Sequence, residues 1–140
     1  MKPVQVFLLG AALATAPAAA SAQDTTPASS GVYTSQQSTR GAALYQSKCA
    51  SCHGDDLAGG GTSPALAGSD FAVSWSGRSV AALFASIRAS MPQDQPGTLS
   101  AQQTADLIAF LLKANKFPEG KTELPSESDR LKQILIDSAP

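Results

Sequence analysis

The chain has 140 residues, of which 43% are hydrophobic and 15% charged, and its formal net charge is −1. This length suits one compact domain with a single core and is too short for two. The basic residues are scattered and form neither a cluster nor a stripe, so nucleic acid is not indicated as a partner. The composition therefore favours one small globular domain.

The first 22 residues are typical of an export signal. Lys2 supplies a positive charge, residues 4–13 form an apolar stretch, and Ala20-Ser21-Ala22 is a small-residue cleavage site. The apolar stretch is shorter than the ~20 residues that cross a bilayer as a helix. We therefore expect a signal peptide at 1–22, a periplasmic protein and no stable membrane span, with a retained anchor as the alternative.

Residues 23–38 are mostly Ser, Thr, Gln, Ala and Pro. With few apolar side chains to bury, such a segment cannot offset the entropy lost on ordering. The sequence predicts a flexible leader here, followed by a folded domain over residues 39–140.

Both cysteines of the chain stand in the segment Cys49-Ala50-Ser51-Cys52-His53. This C-x-x-C-H spacing is the one that attaches haem c, because two thiols bond to the porphyrin vinyl groups and the adjacent imidazole reaches the iron. A C-x-x-C disulfide closes a very small loop and constrains little of the chain. A structural zinc site needs four ligands, whereas this chain has two Cys and one His. The sequence predicts one covalent haem c, with a disulfide or redox dithiol as the alternative.

Three main helices are predicted around this motif. The first spans residues 39–48 and contains Gly41, which costs about 1 kcal/mol relative to Ala and so indicates a close helix crossing. The second runs from a cap at Ser79 to about Ala89. Pro92 follows it and stops the helix.

The third helix is the clearest, since Ser100 and Gln103 form a capping-box pair before an apolar run. That run is predicted to be core and consists of Leu107, Ile108, Phe110, Leu111 and Leu112. From Ser126 or Ser128, the chain is either a last short helix or extended at residues 134–136.

The segment after His53 is rich in glycine and contains Pro64. It is a plain surface loop or part of the site. In the second case, the Pro64 carbonyl accepts a hydrogen bond from His53 Nδ1–H and fixes the tautomer and orientation of the ring.

The sixth ligand of the iron decides between an electron carrier and an enzyme or sensor. After signal removal Met91 is the only methionine, and no second histidine exists. A lone methionine is often a core gap filler, but Met91 follows a helix and precedes Pro92 in a loop. We therefore predict Met91 as a ligand opposite His53, which favours electron transfer over chemistry on a bound substrate.

Residues 39–115 resemble the monohaem class I cytochromes c. The resemblance is carried by the order Gly41-x-x-x-Tyr45-x-x-x-Cys49-x-x-Cys52-His53, then Pro64-x-Leu66, then Ser90-Met91-Pro92, then an apolar C-terminal helix. It implies an all-α fold wrapped around a single haem, with the first and third helices crossing near Gly41 and residues 107–111. Tyr45 stands where the family usually has Phe, so its hydroxyl needs a partner.

The resemblance further implies that the Pro64 carbonyl orients His53 and that polar or aromatic donors hold the haem propionates. Trp75 and Arg78 are candidates for the second role. The alternatives are packing against the core or haem edge for Trp75 and a solvated helix start for Arg78.

A second, looser resemblance is to the cytochrome c modules and subunits that accept electrons from pyrroloquinoline quinone dehydrogenases. It rests on Ser90-Met91-Pro92, Pro96-Gly97-x-Leu99-Ser100 and Asn115-x-Phe117-Pro118-x-Gly120. We therefore expect an electron carrier, not an enzyme by itself, whose donor is a periplasmic dehydrogenase and whose acceptor is a respiratory oxidase or another cytochrome. It is either a diffusing carrier or a permanent subunit of an oxidoreductase. A haem enzyme or small-ligand sensor with a labile sixth ligand is the alternative.

Overall fold

The computed structural model describes residues 24–138, which form a mostly helical domain with a two-stranded parallel sheet. The helices are α1 (Ser35–Lys48), α2 (Ala50–His53), α3 (Gly68–Trp75), α4 (Val80–Ser90), α5 (Ala101–Ala114) and α6 (Ser128–Leu131). The strands are β1 (Thr26–Pro27) and β2 (Ile134–Leu135). The predicted signal peptide at 1–22 lies outside the described residues. Within residues 24–138, no helix is both long and apolar enough to cross a membrane.

Helices α1 and α5 cross in close contact at the centre of the fold. A Cβ atom built on Gly41 of α1 would lie 1.9 Å from the carbonyl oxygen of Asp106 and 2.9 Å from Cβ of Phe110. Only a residue without a side chain lets the two backbones approach so closely. The predicted crossing of the first and third helices at Gly41 is confirmed.

Helix α5 begins as predicted. The Ser100 side chain accepts a hydrogen bond from Gln103 N at 3.1 Å, and the Gln103 side chain accepts one from Ser100 N at 2.9 Å. These two bonds satisfy backbone donors that every helix start leaves unpaired. The apolar run that follows is core: Leu107, Ile108, Leu111 and Leu112 are buried, and Phe110 is half-buried against it.

A carboxylate interrupts the buried face of α5. Asp106 is buried and receives two hydrogen bonds from Arg40 of α1, at 2.9 and 3.0 Å, and one from Gln102 at 2.9 Å. Arg40 also donates to Glu123 at 2.8 Å. The planar guanidinium thus joins α1, α5 and the segment that follows α5 through paired, charge-assisted bonds.

The helices α4 and α6 agree with the predictions, with two refinements. Ser79 occupies the N-cap position of α4, but its side chain makes no capping hydrogen bond. The last segment combines both alternatives, because a short helix starts at Ser128 and Ile134–Leu135 is extended. Helix α3 was not predicted, because its apolar pattern is limited to buried Phe71 and half-buried Trp75 within eight residues.

Residues 26–38 are held by strand pairing, hydrogen bonds and burial, and the prediction of a flexible leader over residues 23–38 is wrong for them. Ala28 and Tyr33 are fully buried, β1 pairs with β2, and α1 already begins at Ser35. The prediction counted apolar side chains, whereas this segment is held largely by hydrogen bonds.

Those hydrogen bonds join the N-terminal segment to the C-terminal one. The Tyr33 hydroxyl donates to the Phe117 carbonyl at 2.7 Å. The side-chain amide of buried Gln37 donates to Leu124 O at 3.0 Å and accepts from Leu124 N at 2.7 Å. Burial alone raises the pKa of Asp137, but hydrogen bonds from Ser29 outweigh it and lower the pKa. Each bond satisfies a polar group that would otherwise be costly to bury.

We expect Gly41→Ala to lower the free energy of unfolding by about 3 kcal/mol, the upper end of overpacking costs, because the new methyl group meets the Asp106 backbone. Chemical denaturation measures the change. Gly60→Ala is the control, since a Cβ there would have only one neighbour within 4 Å, at 3.9 Å. Equal losses in the two variants would contradict a close crossing at Gly41.

Candidate haem-attachment site

Cys49 joins two helices, ending α1 and preceding the single turn of α2. Its N–H donates to Tyr45 O at 2.8 Å, and its carbonyl accepts from Cys52 N at 3.1 Å and His53 N at 3.0 Å. Residues four apart lie on one face of a helix, so this turn brings Cys49 and His53 to the same side. Cys49 is half-buried, Cys52 is exposed, and both are free thiols.

His53 is buried, and its Nδ1 lies 2.9 Å from the carbonyl oxygen of Pro64. A carbonyl only accepts hydrogen bonds, so Nδ1 carries the proton in this contact. The neutral ring then has its lone pair on Nε2, which is the nitrogen that a metal would take. The contact expected between these two residues is present; its role in orienting a haem ligand remains a prediction.

A tight turn brings Pro64 back to His53. Gly59 N donates to His53 O at 2.8 Å, and Leu66 N donates to Leu57 O at 2.8 Å. Gly59 has a φ of +76°, and a Cβ there would lie 2.5 Å from Ser63 O. This position therefore requires glycine, because a side chain would push the returning strand of the loop away.

Asn115, at the C-terminal end of α5, holds the far end of that loop. Its side-chain amide donates to Leu66 O at 3.0 Å and accepts from Gly68 N at 3.0 Å. It also donates to Leu111 O at 2.9 Å, which satisfies a carbonyl in the last turn of α5. No role was predicted for Asn115, although an Asn just past an apolar helix is a signal that could have identified it.

Tyr45 supports residues 49–53, which we call the attachment turn. Its hydroxyl donates to Gly54 O at 2.6 Å, and its ring centroid lies 5.1 Å from that of Phe110. The partner that this hydroxyl needs is therefore the residue directly after His53. Burial raises the pKa of Tyr45 to about 12.

Trp75 is the last residue of α3, and Arg78 lies beside it on the linker that follows. The Arg78 guanidinium stacks 4.5 Å from the centroid of the Trp75 ring and donates to Ser74 O at 3.3 Å. Trp75 is half-buried against the core and Arg78 is exposed. The stacking presents a cation and an indole as one unit; their contact with a propionate remains a prediction.

Met91 is the residue directly after α4. It is half-buried, its N–H donates to Ile87 O at 2.8 Å, and Pro92 beside it is buried. The structure thus places the predicted residues in three groups. Cys49, Cys52 and His53 lie on the attachment turn with Pro64 beside them, Trp75 lies with Arg78, and Met91 lies at the end of α4.

The donor set fits haem c. Two thiols that are not joined in a disulfide flank an imidazole whose Nδ1 is already engaged, and the chain offers one thioether besides Met1. These are the groups that attach a haem and ligate its iron on both sides.

We expect Tyr45→Phe to lower the free energy of unfolding by about 1 kcal/mol, because Gly54 O loses its donor. The pKa of Tyr45 is higher in the folded state than its ordinary value of 10.0, so this contribution is complete below pH 10 and declines as the pH rises towards 12. The difference between wild type and variant should shrink over that range. Denaturation curves at pH 7 and above pH 10 measure it.

Ser47→Ala is the control for that experiment, since the exposed Ser47 hydroxyl bonds only within its own helix, to Leu44 O. It should change stability by less than about 0.5 kcal/mol. A Tyr45→Phe variant as stable as wild type would show that Gly54 O does not need this donor.

The family model described as "Cytochrome C oxidase, cbb3-type, subunit III" matches residues 36–111, just over half of the chain. Among curated proteins, none matches the chain.

A solved structure, that of the sulfane dehydrogenase SoxCD from Paracoccus pantotrophus, is similar with a TM-score of 0.52 and 22% identity, over 89% of this chain and 68% of that chain. At this identity the likeness concerns the fold. The expected class I cytochrome c fold is confirmed. The chain belongs to the cytochrome c family whose model spans residues 36–111.

Proposed function

We propose that this chain is an exported one-electron carrier of the periplasm, with one haem c attached through Cys49 and Cys52 and ligated by His53 and Met91. The observation that carries this proposal is the hydrogen bond of Pro64 O with His53 Nδ1, beside two free thiols. It leaves a correctly protonated imidazole next to the two groups that fix a haem covalently.

The residues of the attachment turn divide the work. The Cys49 and Cys52 thiols would tether the cofactor, His53 Nε2 would bind its iron, and the Pro64 carbonyl would hold the ring and increase its basicity. When bound, haem supplies an iron that alternates between Fe(III) and Fe(II), so one electron is exchanged and no substrate bond changes.

In this proposal Met91 would supply the second protein ligand of the iron. Elimination supports Met91, because the chain has one histidine and its other methionine is Met1. Its position directly after α4 also supports it. A thioether favours Fe(II), raises the reduction potential and closes the iron to small molecules. A closed iron suits a carrier and does not suit an enzyme that binds its substrate at the metal.

Trp75 and Arg78 are the proposed partners of the haem propionates. An exposed guanidinium stacked on an indole offers both a charge and a fork of N–H donors to a carboxylate. The ring limits the movement of the Arg78 side chain, so less entropy is lost when it binds an anion.

The proposed electron donor is a periplasmic dehydrogenase, such as one dependent on pyrroloquinoline quinone, and the acceptor is a respiratory oxidase or another cytochrome. The sequence resemblance to cytochromes that serve such dehydrogenases supports the donor. The matched family model is named after an oxidase subunit, and the similar structure is that of a dehydrogenase. Both support a role in electron transfer to or from a larger oxidoreductase. Contacts in such encounters are small and electrostatically oriented.

We expect haem to remain with the polypeptide when the purified protein is extracted with acidified acetone, because two thioether bonds hold it. Cys49→Ser and Cys52→Ser should each leave one bond, and the double variant should release all of its haem. Absorbance of the two phases measures the distribution. Haem that leaves the wild-type chain freely would contradict covalent attachment.

We expect Met91→Ala to lower the reduction potential by more than ~59 mV, a tenfold change in a one-electron equilibrium. The variant should lose the weak red charge-transfer band of thioether-bound ferric haem, and its ferrous form should bind carbon monoxide. Redox titration and absorbance spectra measure these changes. Ser90→Ala, one residue earlier and exposed, is the control and should behave as wild type. Carbon monoxide binding to the unmutated ferrous protein would favour the enzyme or sensor interpretation.

A further inference from the structure

Near its C-terminal end, the described chain passes between the N-terminal segment and the linker that joins α3 to α4. We call residues 133–137 the strap. On one side, β2 of the strap pairs with β1, and Thr26 N donates to Gln133 O at 2.7 Å. Farther along, the Asp137 carboxylate accepts hydrogen bonds from the backbone and side chain of Ser29. The N-terminal segment thus fixes both ends of the strap.

The other edge of the strap bonds the linker between α3 and α4. Gly77 N donates to Ile136 O at 2.8 Å, and Ile136 N donates to Arg78 O at 2.9 Å. Ser79 forms an isolated bridge with Leu135. Backbone bonds of this kind have little freedom, so the strap sets where the linker lies.

Two apolar side chains of the strap are also buried in the core. Ile134 and Ile136 are 8% and 1% exposed, and α4 contacts both β2 and α6. The strap lies beyond residue 111, where the family match ends. The attachment turn is built without it, whereas α4 is held from outside the matched region.

Helix α4 links the strap to Met91. It begins at Val80, two residues after the Arg78 carbonyl that Ile136 bonds, and Met91 follows its last residue. Eleven helical residues span about 16 Å as a stiff rod. A shift at the first turn therefore moves the far end, where Met91 lies.

We propose that the strap is a positioning element and Ile136 its positioning residue: by holding the start of α4 they keep the Met91 thioether on the haem iron. This inference rests on the proposed function, since it presupposes Met91 as a ligand. According to this inference, segments outside residues 36–111 control both the position of the sixth ligand and the access of small molecules to the iron.

The test compares Ile136→Ala with Leu124→Ala in the full-length, haem-loaded protein. Both side chains are aliphatic, 1% exposed and C-terminal to the family match, but Leu124 bonds Gln37 of α1 and not the linker. Both variants should lose unfolding free energy. Only Ile136→Ala should weaken the red charge-transfer band and raise the carbon monoxide affinity of the ferrous protein at least tenfold. Ile136→Val, a milder truncation that should fold even if alanine does not, should change both readouts in the same direction by less.

Amide hydrogen exchange gives a readout that does not depend on the iron. Residues 76–91 should exchange faster in the Ile136 variants and at the wild-type rate in Leu124→Ala. Two results would overturn the positioning role alone. One is an equal change in the Ile136 variants and in Leu124→Ala. The other is a charge-transfer band and a carbon monoxide affinity that stay unaltered in the Ile136 variants while the wild type shows a normal band. A wild-type protein without the band would overturn the ligation by Met91 and this inference with it.

Discussion

The close crossing of α1 and α5 at Gly41 is the constraint on which the rest of the structure depends. Helix α1 ends directly before Cys49. Asn115 directly follows α5, and its side chain is hydrogen-bonded to Leu66 O and Gly68 N. The same pair of helices therefore fixes the cysteine side of the attachment turn and the loop that returns Pro64 to His53. A wider crossing would separate these two contributions and loosen the contact between His53 and Pro64.

Around this crossing, polar bonds add to the packing of the apolar core. Buried Asp106 is satisfied by Arg40, which ties α1 to α5. Buried Gln37 is satisfied by the Leu124 backbone, which ties α1 to the segment after α5. Breaking such a bond leaves a buried polar group unpaired, which costs more than the bond itself contributes. The N-terminal segment and the chain after α5 are thereby held in one defined arrangement against the helix pair.

Sequence patterns predicted the elements that rest on local or motif-level rules. The capping box of Ser100 and Gln103 follows from residue types at fixed spacing. The crossing of α1 with α5 at Gly41 and the contact of His53 with Pro64 were implied by the resemblance to class I cytochromes c. The packed N-terminal segment was missed because Gln37 is buried by pairing with a backbone distant in sequence, which composition does not reveal. Helix α3 was missed because it has only eight residues, with Phe71 buried and Trp75 half-buried, which is too short a pattern to identify a helix. The role of Asn115 likewise depends on a loop 47 residues away.

The chemistry and its placement are divided between two parts of the chain. Residues 36–111 match the family and contain the cysteines, His53, Pro64 and Met91. The likeness to SoxCD covers 89% of the chain and so extends beyond those residues, which makes the flanking segments part of the shared fold. A carrier breaks no substrate bond, so its fold controls the reaction through the ligands of the iron and access to it. In the proposal, the flanks that hold α4 would act on Met91, the one proposed ligand that lies outside the attachment turn.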